Sequence, residues 1–158
     1  MAIELQGGAY SFADVNIAIT GPFINASLSK PGVSNEGAVV RMDGEKNRKT
    51  VGAGGSWMQS LIVAQSGRVR LSLLKTGVGN SILSAAYNSQ KSSAAYWGQN
   101  LITINNPVSL DNVTAQGGAF LKLPDVTYSA DGTALMEWEF DCGLIEMLLG
   151  AGALTQGL

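Results

Sequence analysis

Glu137, Glu139 and Asp141 stand at alternate positions near the C-terminal end of a 158-residue chain. On a β-strand, alternate side chains share a face and lie about 7 Å apart. Three carboxylates so placed could share a proton, hold a cation or line a charged wall. Acid–base work needs a pocket, and the pattern supplies none. Calcium usually draws its ligands from a loop that wraps the ion, whereas these come from an extended run. Two readings remain: an exposed polar strand face, or the acidic wall of a channel formed by symmetry copies whose fields add. Such a wall would repel a polyanion.

Other chemistry is thin. The chain has no histidine, which removes the usual general base and the commonest metal ligand. Ser-His-Asp and Cys-His sites are therefore excluded. The single cysteine, Cys142, falls on the apolar face of a predicted strand, where a buried small hydrophobe is expected. Gly77-x-Gly79 precedes a predicted helix, but Ile82 stands where a dinucleotide fingerprint needs its third glycine, and no βαβ unit follows. No Gly-Lys pair exists to cradle phosphate. Asn25-Ala26-Ser27 and Asn112-Val113-Thr114 match glycosylation sequons and read as chance matches. No catalytic residue, cofactor or metal site is expected, and an enzyme is the least favoured class.

Two further groups could make contacts. Arg41, Asp43, Glu45, Lys46, Arg48 and Lys49 form the densest charge in the chain. They read as a solvated loop tip or as a contact element between subunits. Trp57, Tyr96 and Trp97 could offer stacking surfaces for a carbohydrate.

Composition bounds the partners. Apolar residues make up 46 %, enough for one core, and charged residues 14 %, well below the usual quarter. The length fits one domain over residues 1–158. A Gly-rich, weakly charged surface suits either an ordinary β domain or a protein mostly covered by neighbours. A net charge of −2 gives no general electrostatic hold on nucleic acid. One cysteine permits no internal disulfide, as in a chain that folds in a reducing cytoplasm. Met1 to Tyr10 lacks a basic cluster followed by an apolar run, so no signal peptide is expected. No apolar stretch reaches the length of a membrane span, so no membrane insertion is expected.

The elements that must position these residues follow a period of two. Tyr10 to Thr20 alternates, with Val15, Ile17 and Ile19 on one face, and Gly21-Pro22 ends that strand. Phe23 to Glu36 reads as a loop. Gly37 to Ser60 reads as a long hairpin turning at Asp43-Gly44, with Thr50-Val51 opening its second arm. The glycines at 52, 54 and 55 allow a bulge or sharp bend. Trp57–Val63 and Arg68–Leu74 read as strands joined by the turn Gln65-Ser66-Gly67. Gly79 to Gln90 changes to a helical period through Ile82, Leu83, Ala86 and Tyr87, with Asn80 as N-cap. Leu101–Ile104 and Asp111–Leu123 add strands, the latter one or two. Ala134–Cys142 buries Met136, Trp138, Phe140 and Cys142 opposite the three carboxylates. Leu144–Leu149 continues as strand, and Gly150–Leu158 is expected to be a loose tail. About seven strands and one helix imply a mainly β domain, an antiparallel sandwich or small barrel with a flanking α-helix.

Several ordered segments carry a specific resemblance. Tyr10-Ser11-Phe12-x-Asp14-Val15 and Ile19-Thr20-Gly21-Pro22 open the match. It continues through Gly44-Glu45-Lys46-Asn47, Thr50-Val51-Gly52-Ala53 and Ser56-x-Met58-x-Ser60. Leu73-Leu74-Lys75-Thr76, Asn80-x-x-Leu83-Ser84 and Tyr87-Asn88 follow. Glu137-Trp138-x-Phe140-Asp141-Cys142-Gly143 and Met147-x-Leu149-Gly150 close it. Together they resemble phage tail tube proteins over nearly the whole chain. Gly54-Gly55 departs from the pattern, where an acidic residue and a glycine are expected.

The resemblance implies a structural subunit with the tail tube fold, shared by secretion tubes. Six copies form a ring whose inner sheets join into a barrel, and rings stack through loops and terminal arms into a hollow cylinder. DNA passes through the lumen without specific binding. Tail sheath, baseplate and tape measure proteins are the implied partners, and the virion tail, assembled in the host cytoplasm, is the implied location. By the same analogy, Arg41 to Lys49 would reach a neighbouring subunit or ring. A tube protein of a contractile secretion machine or tail-like bacteriocin, and a β-sandwich carbohydrate-binding module, are the alternatives.

Overall fold

The computed structural model describes residues 8–29, 33, 35–130, 135–150 and 153–154. In chain order the strands are β1 (Gly8–Ala9), β2 (Asn16–Gly21), β3 (Ile24–Ser27), β4 (Asn35–Met42), β5 (Asn47–Val51), β6 (Trp57–Leu61) and β7 (Gly67–Leu74). The helix α1 (Val78–Gln90) follows, then β8 (Asn100–Asn106), β9 (Asp111–Lys122), β10 (Leu135–Cys142), β11 (Leu144–Leu148) and β12 (Ala153–Leu154). The expected mainly β, antiparallel fold with one α-helix is present.

The main sheet runs β3-β2-β8-β9-β10-β7-β4, with β11 also on β9. Its organiser is β9. Residues Asn112 to Gln116 pair with β11, while Ala119 to Lys122 pair with β10. Since β10 and β11 are separated by Gly143 alone, they act as one long strand bent against β9. The bend falls beside Gly117, whose φ of 65° favours glycine. The sheet thereby divides into two halves that contribute to one core. Ile17, Ile19, Ile102, Val113 and Ala115 come from one half, and Val69, Leu71, Leu73, Trp138 and Phe140 from the other. Phe120 sits at the aromatic centre, with ring centroids 4.7 Å from Phe140, 5.9 Å from Trp138 and 5.6 Å from Tyr87 of α1.

α1 packs Leu83 and Ala86 into this core, as its period requires. Its N-cap is Gly77, without a side-chain bond, in place of the expected Asn80. Asn80 lies inside the first turn and ties helix to sheet. Its Nδ2 donates to the Leu74 carbonyl (2.7 Å), and its Oδ1 accepts from Trp138 Nε1 (3.0 Å). At the other end, the buried Gln90 and Asn100 exchange two amide bonds of 2.8 and 3.0 Å. Gln90 also donates to the Pro22 carbonyl (2.8 Å). One pair thus fastens α1, β8 and the β2–β3 turn.

Several sequence expectations are corrected. The first strand begins at Asn16, because Ser11 Oγ accepts from Ala13 N and starts a short 3-10 turn over Phe12–Asp14. Ile24–Ser27, expected as loop, forms β3 against β2, with Pro22-Phe23 as a tight turn and Phe23 at φ 65°. Burial of Ile24 and Leu28 outweighs the polar composition of that stretch. The hairpin expected over 37–60 does not form. β4 pairs with β7, where Ala38 and Val40 align with Leu71 and Val69 in the core. β5 and β6 make their own hairpin, turning at Gly52–Ser56 instead of Asp43-Gly44. That turn suits its glycines: Gly55 N donates to Gly52 O (3.0 Å), and Gly55 takes φ 88°. β6 and β7 are not partners either, since the Gln65 and Ser66 carbonyls accept from Ile145 N and Asp43 N. Asp111–Lys122 is one strand.

Of the expected loose tail, Gly150 N donates to Asp111 Oδ1 (2.7 Å) and Ala153–Leu154 pair with Gly8–Ala9. Residues 151–152 and 155–158, the chain start 1–7, part of the expected 23–36 loop, and 131–134 at the start of the last long expected strand lie outside the described residues.

Replacing Gln90 by Leu leaves the buried Asn100 amide and the Pro22 carbonyl without partners. A loss of about 2 kcal/mol in urea unfolding is expected. Adding Asn100→Leu should cost less than the sum of the single changes, because the stranded amide is then gone.

Candidate functional site

The strands β10, β7 and β4 and the C-terminal part of β9 form one half-sheet with an apolar inner face. Met136, Trp138, Phe140 and Cys142 of β10 and Val69, Leu71 and Leu73 of β7 all point inward. Period two then forces the intervening residues outward. Glu137, Glu139 and Asp141 share that outer face, as expected from their alternation. Register sets their neighbours: Glu137 faces Ser72, Glu139 faces Arg70 and Asp141 faces Arg68. β4 continues the rows with Val39 beside Arg70 and Arg41 beside Arg68. β9 adds Lys122 beside Glu139.

The face therefore carries both signs of charge, which corrects the reading of a purely acidic one. Arg41, Arg68, Arg70 and Lys122 stand against Glu137, Glu139 and Asp141. Arg70 donates through Nε (3.0 Å) and Nη2 (2.7 Å) to one oxygen of Glu139, whose side chain is 22 % exposed. Arg68 Nε lies 4.0 Å from Asp141. Lys122 lies 3.9 Å from Asp125. Arg68 and Arg70 were legible as the polar side of a strand; their position opposite the carboxylates was not, because it depends on which strands pair. No group of three carboxylate or thiol side chains suited to a metal occurs among the described residues.

The six charged residues expected at one hairpin tip are dispersed. Arg41 belongs to the mixed-charge face. Asp43 and Glu45 lie in the link to β5. Lys46 Nζ donates to the carbonyls of Val63 (3.1 Å) and Ala64 (3.2 Å), which clamps the hairpin base. Arg48 and Lys49 lie along β5 itself. Among the described residues the β5–β6 hairpin pairs with no other strand, and neither of its strands has a buried residue. Trp57 is 70 % exposed and Leu61 77 %. One face of the hairpin carries Val51–Trp57 at the turn end and Leu61 at the base, with Lys49–Gln59 between them.

Trp57, Tyr96 and Trp97 do not form one stacking platform. Tyr96 lies edge-on to Phe23 (4.9 Å) and Trp97 edge-on to Tyr87 (6.0 Å), while Trp57 rides on the free hairpin.

Two strand edges of the half-sheet have no partner strand among the described residues. β4 pairs on one side, with β7. Ala119 to Lys122 of β9 pair on one side, with β10, since β8 ends its pairing at Gly118. No helix among the described residues is long and apolar enough to cross a membrane.

Cys142 is buried at the core side of β10. Burial, then the nearby charges of Asp141 and Asp43, push its thiol up to about 11. A thiol raised this far stays neutral at pH 8, and the thiolate is the reactive form. Native protein at pH 8 should therefore resist alkylation by iodoacetamide, while protein in denaturant should be labelled fully, as read by mass spectrometry.

Comparisons agree with this architecture. The extended sheath–tube complex of an extracellular contractile injection system (PVC) contains a chain with TM-score 0.61 and 12 % identity, the alignment covering 89 % of this chain and 92 % of that one. The sheath/tube terminator of the same kind of system gives TM-score 0.56 at 15 % identity, covering 93 % and 99 %. The tube-terminating cap of the anti-feeding prophage gives 0.55 at 12 %, covering 95 % of each. At such identities the likeness is one of fold. No curated protein matches the sequence. The profile of the bacteriophage PhiTE tail tube protein matches residues 8–150, nearly the whole described chain, and the chain belongs to that family of structural tail tube proteins.

Proposed function

We propose that this tail tube subunit closes into hexameric rings by edge pairing, and that the rings stack into a hollow cylinder through which DNA passes into the host. The observation that carries this reading is the pair of open edges on one half-sheet. β4, β7, β10 and β9 alternate in direction, so the two edges run oppositely. Identical copies set head to tail can therefore extend the sheet with antiparallel pairing throughout, and a rotation that closes leaves no free edge. The ring number of six rests on the family.

In this assembly the mixed-charge face lines the lumen, with Glu137, Glu139 and Asp141 among its residues, and the opposite half-sheet and α1 lie outward. The β5–β6 hairpin carries Arg48 and Lys49 to the next subunit or ring. A two-stranded hairpin is marginal in water on its own, and its exposed Val51, Trp57 and Leu61 are supports for a neighbour. Sheath, baseplate and tape measure proteins are the further partners. The tube is part of the virion tail, assembled in the host cytoplasm, and has no catalytic role. The match to a bacteriophage tube family favours this setting over a secretion machine or bacteriocin.

Negative-stain images of concentrated protein should show rings or short tubes. Trp57→Ser with Leu61→Ser should abolish them while changing unfolding free energy by no more than ~0.5 kcal/mol, since both residues are exposed. A strictly monomeric wild type at every concentration would sink the reading. Glu137 has no cationic partner across its strand, so Glu137→Lys alters the wall without breaking an ion pair. Tubes should form and genome release should slow. Normal release from intact variant tubes would remove this face from the lumen.

A further inference from the structure

The outer face of β4 and β7 brings three guanidinium side chains, those of Arg41, Arg68 and Arg70, to one groove of about 310 Å³. Asp43 and Glu139 line the same groove. Arg68 and Arg70 sit two residues apart on one strand, about 7 Å from one another. A guanidinium fork binds a carboxylate or a phosphate through the same N–H pair. In Arg70 that pair is occupied: Nε and Nη2 both donate to Glu139. Arg68 is held less closely, at 4.0 Å from Asp141. No carboxylate among the described residues lies within ion-pair distance of Arg41.

The geometry points to a latent phosphate-backbone site that the subunit keeps closed with its own carboxylates. Glu139 and Asp141 serve as built-in counter-ions. Glu139 occupies two donors of Arg70, and Asp141 offsets the charge of Arg68 at ion-pair distance, so Arg41 is the guanidinium of the groove with no carboxylate against it among the described residues. DNA affinity grows with the number of phosphates neutralised by free Lys and Arg, and each occupied guanidinium removes one. The role of the two acids is thus local occupation of arginines more than general repulsion. This deepens the lumen reading and depends on it for its biological meaning, but the chemistry resides in the single subunit.

The test uses full-length protein, dispersed by Trp57→Ser/Leu61→Ser where it assembles, and a fluorescent duplex DNA. Anisotropy titrations are run at a series of salt concentrations. Wild type should bind weakly. Glu139→Gln/Asp141→Asn should bind at least tenfold tighter, with a log–log salt slope steeper by about two, one for each arginine freed. Glu139→Gln alone should give more of the gain than Asp141→Asn, because its arginine is held more closely. It also serves as the readout if the double variant fails to fold. Glu45→Gln/Glu146→Gln makes the same change in net charge away from these arginines and should stay at the wild-type level. Adding Arg68→Gln/Arg70→Gln to the double variant should erase the gain. The proposal is overturned if neutralising the acids yields no gain, if the charge-matched control gains equally, or if the gain survives loss of both arginines. Failure of the lumen reading shows separately, as normal genome release from Glu137→Lys tubes, and leaves this assay unaffected.

Discussion

The register between β7 and β10 is the constraint on which the rest of the molecule depends. It aligns Leu71 with Trp138 and Val69 with Phe140 on the core side. A slip of one residue in either strand would exchange its faces, turning charged side chains into the core and aromatic ones into water. The cost of burying a guanidinium or a carboxylate there is several kcal/mol, so the register is strongly specified. Once it holds, Arg70 must meet Glu139 and Arg68 must meet Asp141. The mixed-charge outer face follows from packing the inner one.

The same argument explains how the half-sheet is left open. β9 is long enough to serve both halves, pairing with β11 near its start and with β10 near its end. Where it leaves β8 at Gly118, its last residues have a partner on one side alone. β4 ends the other side. Exposed strand edges are ordinarily blunted in monomers by bulges, prolines or inward charges. A bulge does interrupt β4 at Glu36, but Val39 to Met42 continue beyond it as regular strand.

Faces were legible in the sequence, and partners were not. The alternation of Met136, Trp138, Phe140 and Cys142 against Glu137, Glu139 and Asp141 reads directly as one buried and one exposed side. So does Val69, Leu71 and Leu73 against Arg68 and Arg70. The helical period through Leu83 and Ala86 is equally plain. Which strand lies beside which is a long-range matter that period two does not encode. Asp43-Gly44 has strong turn chemistry, yet Ala38 and Val40 gain more by packing beside Leu71 and Val69 than by folding back on residues 47–51. Local turn preference, worth little, yields to burial at about 25 cal/mol per Å². Asn80 failed as a cap for a related reason: its amide bridges Leu74 and Trp138, a role visible only once helix and sheet are docked. The mixed charge of the outer face was not legible from the three carboxylates alone, because register places Arg70 and Arg68 beside them.

Weak charge and exposed apolar groups together mark the subunit's surface. A net charge of −2 does little to hold copies apart, and Trp57, Leu61 and Val63 are exposed on or beside the free hairpin. In a monomer this combination invites disordered association. What gives association a direction here is that the adhesive features are anisotropic. The edge strands bound one half-sheet, exposed apolar side chains occupy a hairpin outside it, and the charged face pairs Arg70 with Glu139 and Arg68 with Asp141. In the proposed assembly, edge pairing is specific in register and direction, whereas the hairpin adds apolar contact through side chains outside the core. Contact strength and the inertness of the charged face are then set, in the proposed assembly, by separate parts of one small β fold.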